Sequence, residues 1–206
     1  YIIKLMDDIK IIKGNETFYE DFINLILFTG EKIFLSIFGK NVKDILKNLY
    51  SKKENQFSYE FTNFIEVQNK ICGMLLSYSY DDKKKVELNT GSLLLKIMKI
   101  DFLKIFPNLL KSFFVLEKLD KGDYYISNIA TYPSFRGMGL GTKLLTFSED
   151  VAKNRKMKRL VLEVEKENEN AIKVYENFGF KKEKDLDLKI EDKTFSFYKM
   201  VKNLNN

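Results

Sequence analysis

Residues 124–142, Tyr-Tyr-Ile-Ser-Asn-Ile-Ala-Thr-Tyr-Pro-Ser-Phe-Arg-Gly-Met-Gly-Leu-Gly-Thr, constrain the fold more tightly than any other stretch of the chain. The apolar-rich run from Tyr124 to Tyr132 reads as a buried strand, and Pro133 stops it. Glycines then stand at alternate positions, Gly137, Gly139 and Gly141. Beyond them Leu140, Leu144, Leu145, Phe147, Val151 and Ala152 recur with the period of a helix. Strand, glycine turn and helix in succession gather free backbone N–H groups and the positive end of a helix dipole at one spot. Such a spot binds phosphate without needing a side-chain charge. Glycine serves there because a Cβ blocks close backbone approach and forbids some of the dihedrals. The plain alternative is a glycine-rich turn with no ligand.

Three phosphate-binding patterns can be tested on this stretch. The P-loop fails, because Thr142 separates Gly141 from Lys143. The dinucleotide fingerprint Gly-x-Gly-x-x-Gly fails on spacing, and no parallel βαβ repeat surrounds the stretch. Arg136-Gly137-Met138-Gly139-Leu140-Gly141 does resemble the coenzyme A pyrophosphate loop, Arg/Gln-x-x-Gly-x-Gly/Ala, of the GNAT N-acetyltransferase superfamily. A second motif follows in order. Arg159 to Val164 reads as a strand and runs on to Phe180, with Leu162, Val164, Asn168, Ala171, Tyr175, Gly179 and Phe180 on the positions of L-x-V-x-x-x-N-x-x-A-x-x-x-Y-x-x-x-G-F. The resemblance covers roughly residues 59–200; the first fifty or so match only in outline.

Composition sets the remaining bounds. At 206 residues one well-cored domain is expected, residues 1–57 supplying a strand and substrate-side helices and 59–200 the core. Hydrophobic content of 45% with a mean hydropathy of −0.26 fits a soluble chain, and no apolar run reaches membrane-spanning length. No signal peptide is legible in a sequence that starts at Tyr1 rather than Met. A cytoplasmic setting is the expectation, since the single Cys72 excludes an internal disulfide; its apolar surroundings make it a buried structural thiol. Histidine is absent, which removes Ser-His and Cys-His catalysis and argues against a transition-metal site. The net charge of +6 is spread among 29 acidic residues with no dense basic block, so nucleic acid is a poor candidate partner.

Along the chain, Tyr1 to Lys13 reads as a first strand with a turn at Asp7-Asp8, closed by Gly14. Thr17 to Tyr50 reads as helical, broken at Gly30 and Gly39 into two helices and the start of a third. Ser58–Val67 and Lys70–Tyr78 form a hairpin around Gln68-Asn69, followed by a solvated turn at Asp81–Lys85. Ser92 to Leu116 is helical and apolar on more than one face; Pro107 should start a new helix or kink the old one. This segment either covers the sheet or the substrate groove, or forms a homodimer interface. After the central strand, loop and helix come a fifth strand at 159–164, a helix from Asn170 to Asn177 capped by Gly179, and a closing hairpin, Lys181–Ile190 with Thr194–Lys199. The order β, α, α, β, β, α, β, α, β, α, β, β describes an α/β (α+β) fold, a mixed and mostly antiparallel sheet with helices on both faces, as in GNAT enzymes.

The resemblance implies an N-acetyltransferase that moves an acetyl group from acetyl-CoA, its co-substrate, to a primary amine by direct attack, without a metal. Arg136, Gly137, Met138, Gly139, Leu140, Gly141 and Thr142 would take the pyrophosphate. Ile129, Ala130 and Thr131 would pair their backbone with pantetheine and orient the acetyl carbonyl. Asn168, with Ala171 nearby, would contact the cofactor; a simple helix cap is the other role open to Asn168. Tyr175 would hydrogen-bond the departing sulfur, or else merely pack. Some histone-directed members carry a glutamate where Tyr125 stands, so that base is lost. Glu163 is the substitute candidate, with a solvated surface glutamate and water-relayed deprotonation both open. The acceptor is unspecified, a small molecule or a protein amine, and a non-catalytic acyl-CoA sensor is the alternative reading.

Overall fold

The central strand, β4 (Asp123–Thr131), sits between an antiparallel neighbour and a parallel one, and that asymmetry organises the molecule. The computed structural model describes residues 9–116 and 118–204. The apolar Ile2, Ile3 and Leu5 and the expected turn at Asp7-Asp8 lie outside the described residues. Among the described residues seven strands form one sheet in the order β1 (Ile9–Lys13), β2 (Thr62–Val67), β3 (Lys70–Ser79), β4, β5 (Arg159–Glu165), β7 (Lys193–Asn203), β6 (Lys181–Ile190). Every neighbouring pair is antiparallel except β4 and β5. The β2–β3 hairpin turns at Gln68-Asn69, both at positive φ as a tight two-residue turn requires.

Helices cover both faces. On one lie α1 (Tyr19–Phe28), α2 (Glu31–Phe38), α3 (Val42–Tyr50), α4 (Tyr80–Met98) and α5 (Phe102–Val115). Their buried side chains, among them Phe22, Leu46 and Leu94, form one core with Phe64, Met74, Tyr125 and Val161 of the sheet. On the other face α6 (Leu140–Asn154) and α7 (Glu169–Asn177) pack Leu144, Leu145 and Ile172 against Leu75, Ile126, Leu162 and Met200. Strand alternation sends successive residues to these two cores. On β5, Leu162 and Val164 point toward α6 and α7, and Val161 points to the opposite side.

Two expectations are corrected. Asp81–Lys85 is no turn but the first part of α4. Ser79 accepts from the Asp82 N–H while Asp82 Oδ2 accepts from the Ser79 N–H, and Arg155 Nη1 of α6 reaches the same Oδ2 at 2.6 Å. That reciprocal cap starts the helix twelve residues before the apolar stretch does. The break in the apolar segment lies at Lys99–Asp101, where Lys99 takes φ +53°, and Pro107 sits inside α5 instead of opening it. Among the described residues the order therefore holds three helices before β2, divided at Gly30 and Gly39 as expected, and two between β3 and β4. The segment is an intramolecular cover: Leu94, Ile105, Phe102 and Leu109 face the core. Its outer side leaves Leu95, Ile100 and Leu103 exposed.

Candidate active site

The cleft originates in the way β4 and β5 meet. Arg159 clamps the buried Asp123 with two hydrogen bonds, Nε to Oδ1 at 2.7 Å and Nη2 to Oδ2 at 2.9 Å, which pins the strands together at their first residues. Parallel pairing then runs only through Asp123↔Arg159, Tyr124↔Leu160 and Tyr125↔Val161 before the strands part. Ser127 is extra to the β3–β4 register, in which Leu76 pairs with Asn128 and Ser77 with Ile126. A bulge of this kind bends and twists its strand, here away from β5. From Ser127 to Thr131 β4 has, among the described residues, a strand neighbour on one side alone, and its residues change from buried to half-buried. The other side is an open edge with peptide-spaced donors and acceptors.

At the end of that edge the chain turns through a short 3₁₀ segment, Pro133–Phe135, into the glycine loop. Gly137 and Gly139 adopt φ +80° and +72°, the left-handed region in which a Cβ is strained. A Cβ added at Gly137, Gly139 or Gly141 would meet nothing within 4 Å among the described residues, so the loop walls an open cradle. Gly139 is also the N-cap of α6 and brings no side-chain cap. Among the described residues the N–H groups of 137–142 find no acceptor in the protein; hydrogen bonding resumes at Lys143, whose N–H reaches the Gly139 carbonyl at 3.0 Å. Consecutive unsatisfied amides at a helix N-terminus form an anion site by geometry alone.

A cleft of about 900 Å³ joins this loop to the splay and continues beyond it. Ile129, Ala130, Thr131, Arg136, Gly137, Gly139, Leu140, Gly141, Thr142, Glu163, Asn168, Ala171 and Tyr175 all line it. Of the residues expected at the site, only Met138 stands outside the lining. Asn168 Oδ1 accepts from the Ala171 N–H at 3.2 Å as the cap of α7, and among the described residues its Nδ2 has no partner. The helix-cap role is thus present, and the amide's other end stays available. Tyr175 projects from α7 with its ring edge-on to Phe180 at 5.9 Å. A Schellman turn fixes this register: Phe180 N–H to Tyr175 O and Gly179 N–H to Glu176 O, both 3.0 Å, with Gly179 at φ +100°. Among the described residues the Tyr175 hydroxyl makes no hydrogen bond, and burial pushes its pKa up to about 12.

Glu163 projects from β5 on the side opposite Leu162 and Val164, where alternation puts it, and accepts a hydrogen bond from the Tyr125 hydroxyl. Sequence reasoning missed Glu165, two residues further along the same face, which also lines the cleft. Burial raises its pKa above the usual carboxylate value, Glu167's charge adds to the rise, and Lys32 opposes it. Its carboxylate lies beside Gly30, in the α1–α2 turn. That turn is held to β4 by Asn128 Nδ2 on Thr29 Oγ1 at 2.7 Å, and α1 by the Tyr132 hydroxyl on Asp21 Oδ1 at 2.7 Å. Single polar residues such as Asn128, Thr29 and Asp21 give no periodic signal, and only the fold brings them together.

A model of the acetyltransferase (GNAT) family matches residues 31–180. The chain belongs to the GNAT acetyltransferase family. Members of this family are acetyltransferases that use acetyl-CoA as co-substrate. N-alpha-acetyltransferase 30 of Schizosaccharomyces pombe (strain 972 / ATCC 24843) is 46% identical over 56 residues, 27% of this chain and 37% of that protein. The match thus spans little more than a third of the curated relative's length. A solved acetyltransferase structure superposes with a TM-score of 0.68 at 20% identity, covering 95% of this chain and 100% of the other. An N-acetyltransferase from Staphylococcus aureus Mu50 does so at 0.65 and 23%, covering 93% and 99%. These two likenesses concern the fold: this GNAT chain shares with them a mixed sheet covered by helices. Among the described residues no group of His, Cys, Asp or Glu could hold a metal ion, and no single helix is long and apolar enough to cross a membrane.

Proposed function

We propose that this GNAT chain transfers an acetyl group from acetyl-CoA to a primary amine by direct attack. One observation carries the reading: the unsatisfied amides of 137–142 open onto the same cleft as Glu163 and Tyr175. Bound acetyl-CoA supplies an activated acyl group and a good leaving group. The chain's own residues supply position and protons. The loop amides and the N-terminus of α6 hold the diphosphate, with Arg136 adding charge at the loop's entrance. The open edge of β4 at Ile129–Thr131 offers backbone partners to the peptide-like arm, as an added strand would receive them. Asn168 contributes Nδ2, and Ala171, whose N–H is already taken by Asn168, contributes its methyl.

Proton movements follow from the titrating groups. With its pKa near 12, Tyr175 would give its proton to a thiolate of pKa about 8.5 only at a cost of roughly 5 kcal/mol. Its role is therefore to donate a hydrogen bond to sulfur while keeping its own proton. Glu163 takes the ammonium's proton, directly or through a water, with the Tyr125 hydroxyl holding that carboxylate in place. The amine then bonds to the acetyl carbon, the C–S bond breaks with coenzyme A leaving as thiolate, and the nitrogen's second proton passes to water. The S. pombe relative's activity on α-amines supports a peptide N-terminus as one candidate acceptor. A cytoplasmic setting belongs to the same proposal, supported by the lone, buried Cys72.

Calorimetry with acetyl-CoA, followed by thiol release against a panel of amines, tests this reading. Binding together with amine-dependent thiol release is expected. Binding with no release for any amine would leave an acyl-CoA sensor; no binding would remove the site assignment.

A further inference from the structure

The cleft does not end at the carboxylates. Past Glu163 and Glu165 it opens into a chamber between α2, α4 and α5 whose walls include Phe34, Phe38, Phe57, Leu94, Phe102 and Phe106. We propose that the accepting amine carries a bulky aliphatic or aromatic group that lodges in this chamber, a reading that rests on the transferase function above. Three features argue for it together. The chamber is continuous with the splay and lies on the sheet face opposite α6 and α7, so an acceptor in it reaches the thioester from the side away from the loop amides. Its neck carries two carboxylates, which favour an ammonium. Its walls leave large apolar side chains part-exposed, Phe106 at 47%, Leu110 at 43% and Phe28 at 52%. An apolar body removes that surface from water; a small polar amine leaves it wet.

The rival occupant is a long acyl chain on the donor. Entering the chamber, it would bring hydrocarbon past Glu163, which the Tyr125 hydroxyl already holds, and past Glu165, and it would add no cation to match either charge. Charge at the neck and apolar walls beyond it instead match one molecule, cationic at the reacting end and greasy behind.

Two sources present this chemistry, a free arylalkylamine and a peptide N-terminus with bulky apolar first residues. The test pairs 2-phenylethylamine with ethanolamine, and a peptide beginning Phe-Leu with one beginning Ser-Asp. Burying one large apolar side chain predicts kcat/KM ratios of about 10- to 100-fold in favour of the apolar member of at least one pair, and the pair that shows it names the source. Phe106→Asp, at a half-exposed wall position, should bring that ratio close to one while leaving acetyl-CoA affinity intact; Phe106→Leu should restore it. Equal rates for apolar and polar acceptors in the wild type would overturn the proposal with the transferase function intact. So would faster transfer from octanoyl-CoA than from acetyl-CoA that Phe106→Asp abolishes. So would preference for 1,8-diaminooctane over both apolar monoamines, which would hand recognition to Glu87, another lining residue, whose Oε1 is buried with no hydrogen-bond partner among the described residues. Titrating 2-phenylethylamine and the Phe-Leu peptide into the protein saturated with coenzyme A supplies a readout apart from turnover. Binding lost in Phe106→Asp but no transfer would keep the chamber and sink the transferase reading. Neither binding nor transfer would sink both.

Discussion

The two faces of the sheet build their candidate binding surfaces by opposite means. On the α6–α7 face the candidate cofactor site is mostly main chain: loop amides, a strand edge and a helix N-terminus, with Asn168 and Tyr175 as the chief side chains. On the α1–α5 face the candidate acceptor chamber is nearly all side chain, phenylalanines and leucines from elements far apart in sequence. Main-chain recognition demands particular φ values and therefore particular glycines, so it leaves a written pattern. Side-chain recognition of an apolar body uses the same residues that fill a core, so its sequence trace is indistinguishable from packing.

The sharpest way to break this contrast is Gly139→Glu. At φ +72° any Cβ costs roughly 1–2 kcal/mol, and the glutamate adds a negative charge and bulk where an anion is to sit. Acetyl-CoA affinity should fall more than about 100-fold by calorimetry, with binding of apolar amines unaffected. Gly139→Ala carries the backbone strain alone and should lose far less affinity. Equal losses in both variants would mean that backbone conformation, not the anion site, governs binding.

Tyr175→Phe should rank next. It removes one hydrogen-bond donor and retains the ring against Phe180. A lost transition-state hydrogen bond of about 2–3 kcal/mol predicts a fall in kcat of about 30- to 150-fold, with acetyl-CoA affinity within about twofold of wild type. Unchanged kcat would reduce Tyr175 to packing.

Asn128→Ala works on the other face and more gently. It deletes the 2.7 Å bond to Thr29 that ties the α1–α2 turn to β4. Stability should drop by about 1 kcal/mol, and Tm by about 2–4 °C. The amine KM should rise several-fold while acetyl-CoA affinity holds. A larger effect on the cofactor than on the amine would erase the division between the faces.

Legibility followed the same line. Every strand from β2 to β7, the break at Gly30, the glycine loop and the Gly179 cap could be read beforehand, because hydrophobic period, turn chemistry and glycine placement are local signals. The start of α4 could not, since its polar first turns look like a solvated loop until Arg155, distant in sequence, joins the Ser79–Asp82 cap. Pro107 misdirected the reading for a related reason: the break falls at Lys99–Asp101, a stretch that carries no proline or glycine mark. At the site, the resemblance named Glu163, as the substitute for the base lost at Tyr125, and the structure places it in the cleft. Glu165 has no motif, and its proximity to Gly30 exists only once α1 and α2 are laid over the sheet.

Glu165→Gln has the smallest expected effect and separates the two acids at the neck. Burial, reinforced by Glu167 and opposed by Lys32, raises the folded-state pKa of Glu165 above 4.5. A carboxyl group raised in this way favours the folded state fully only below its unfolded pKa, and that contribution is lost as pH rises through the folded value. At neutral pH the wild type therefore bears the cost of a partly desolvated charge, which glutamine removes. Glu165→Gln should be more stable than the wild type at pH 7, with the difference closing as pH falls toward the unfolded carboxylate range. It should raise the amine KM, because the ammonium loses one of two carboxylates at the neck. Glu163→Gln should instead lower kcat and remove the acidic limb of the kcat/KM profile. If Glu165→Gln removes that limb and Glu163→Gln does not, the base is the residue two positions closer to the α1–α2 turn, and the chemistry moves with it toward the acceptor face.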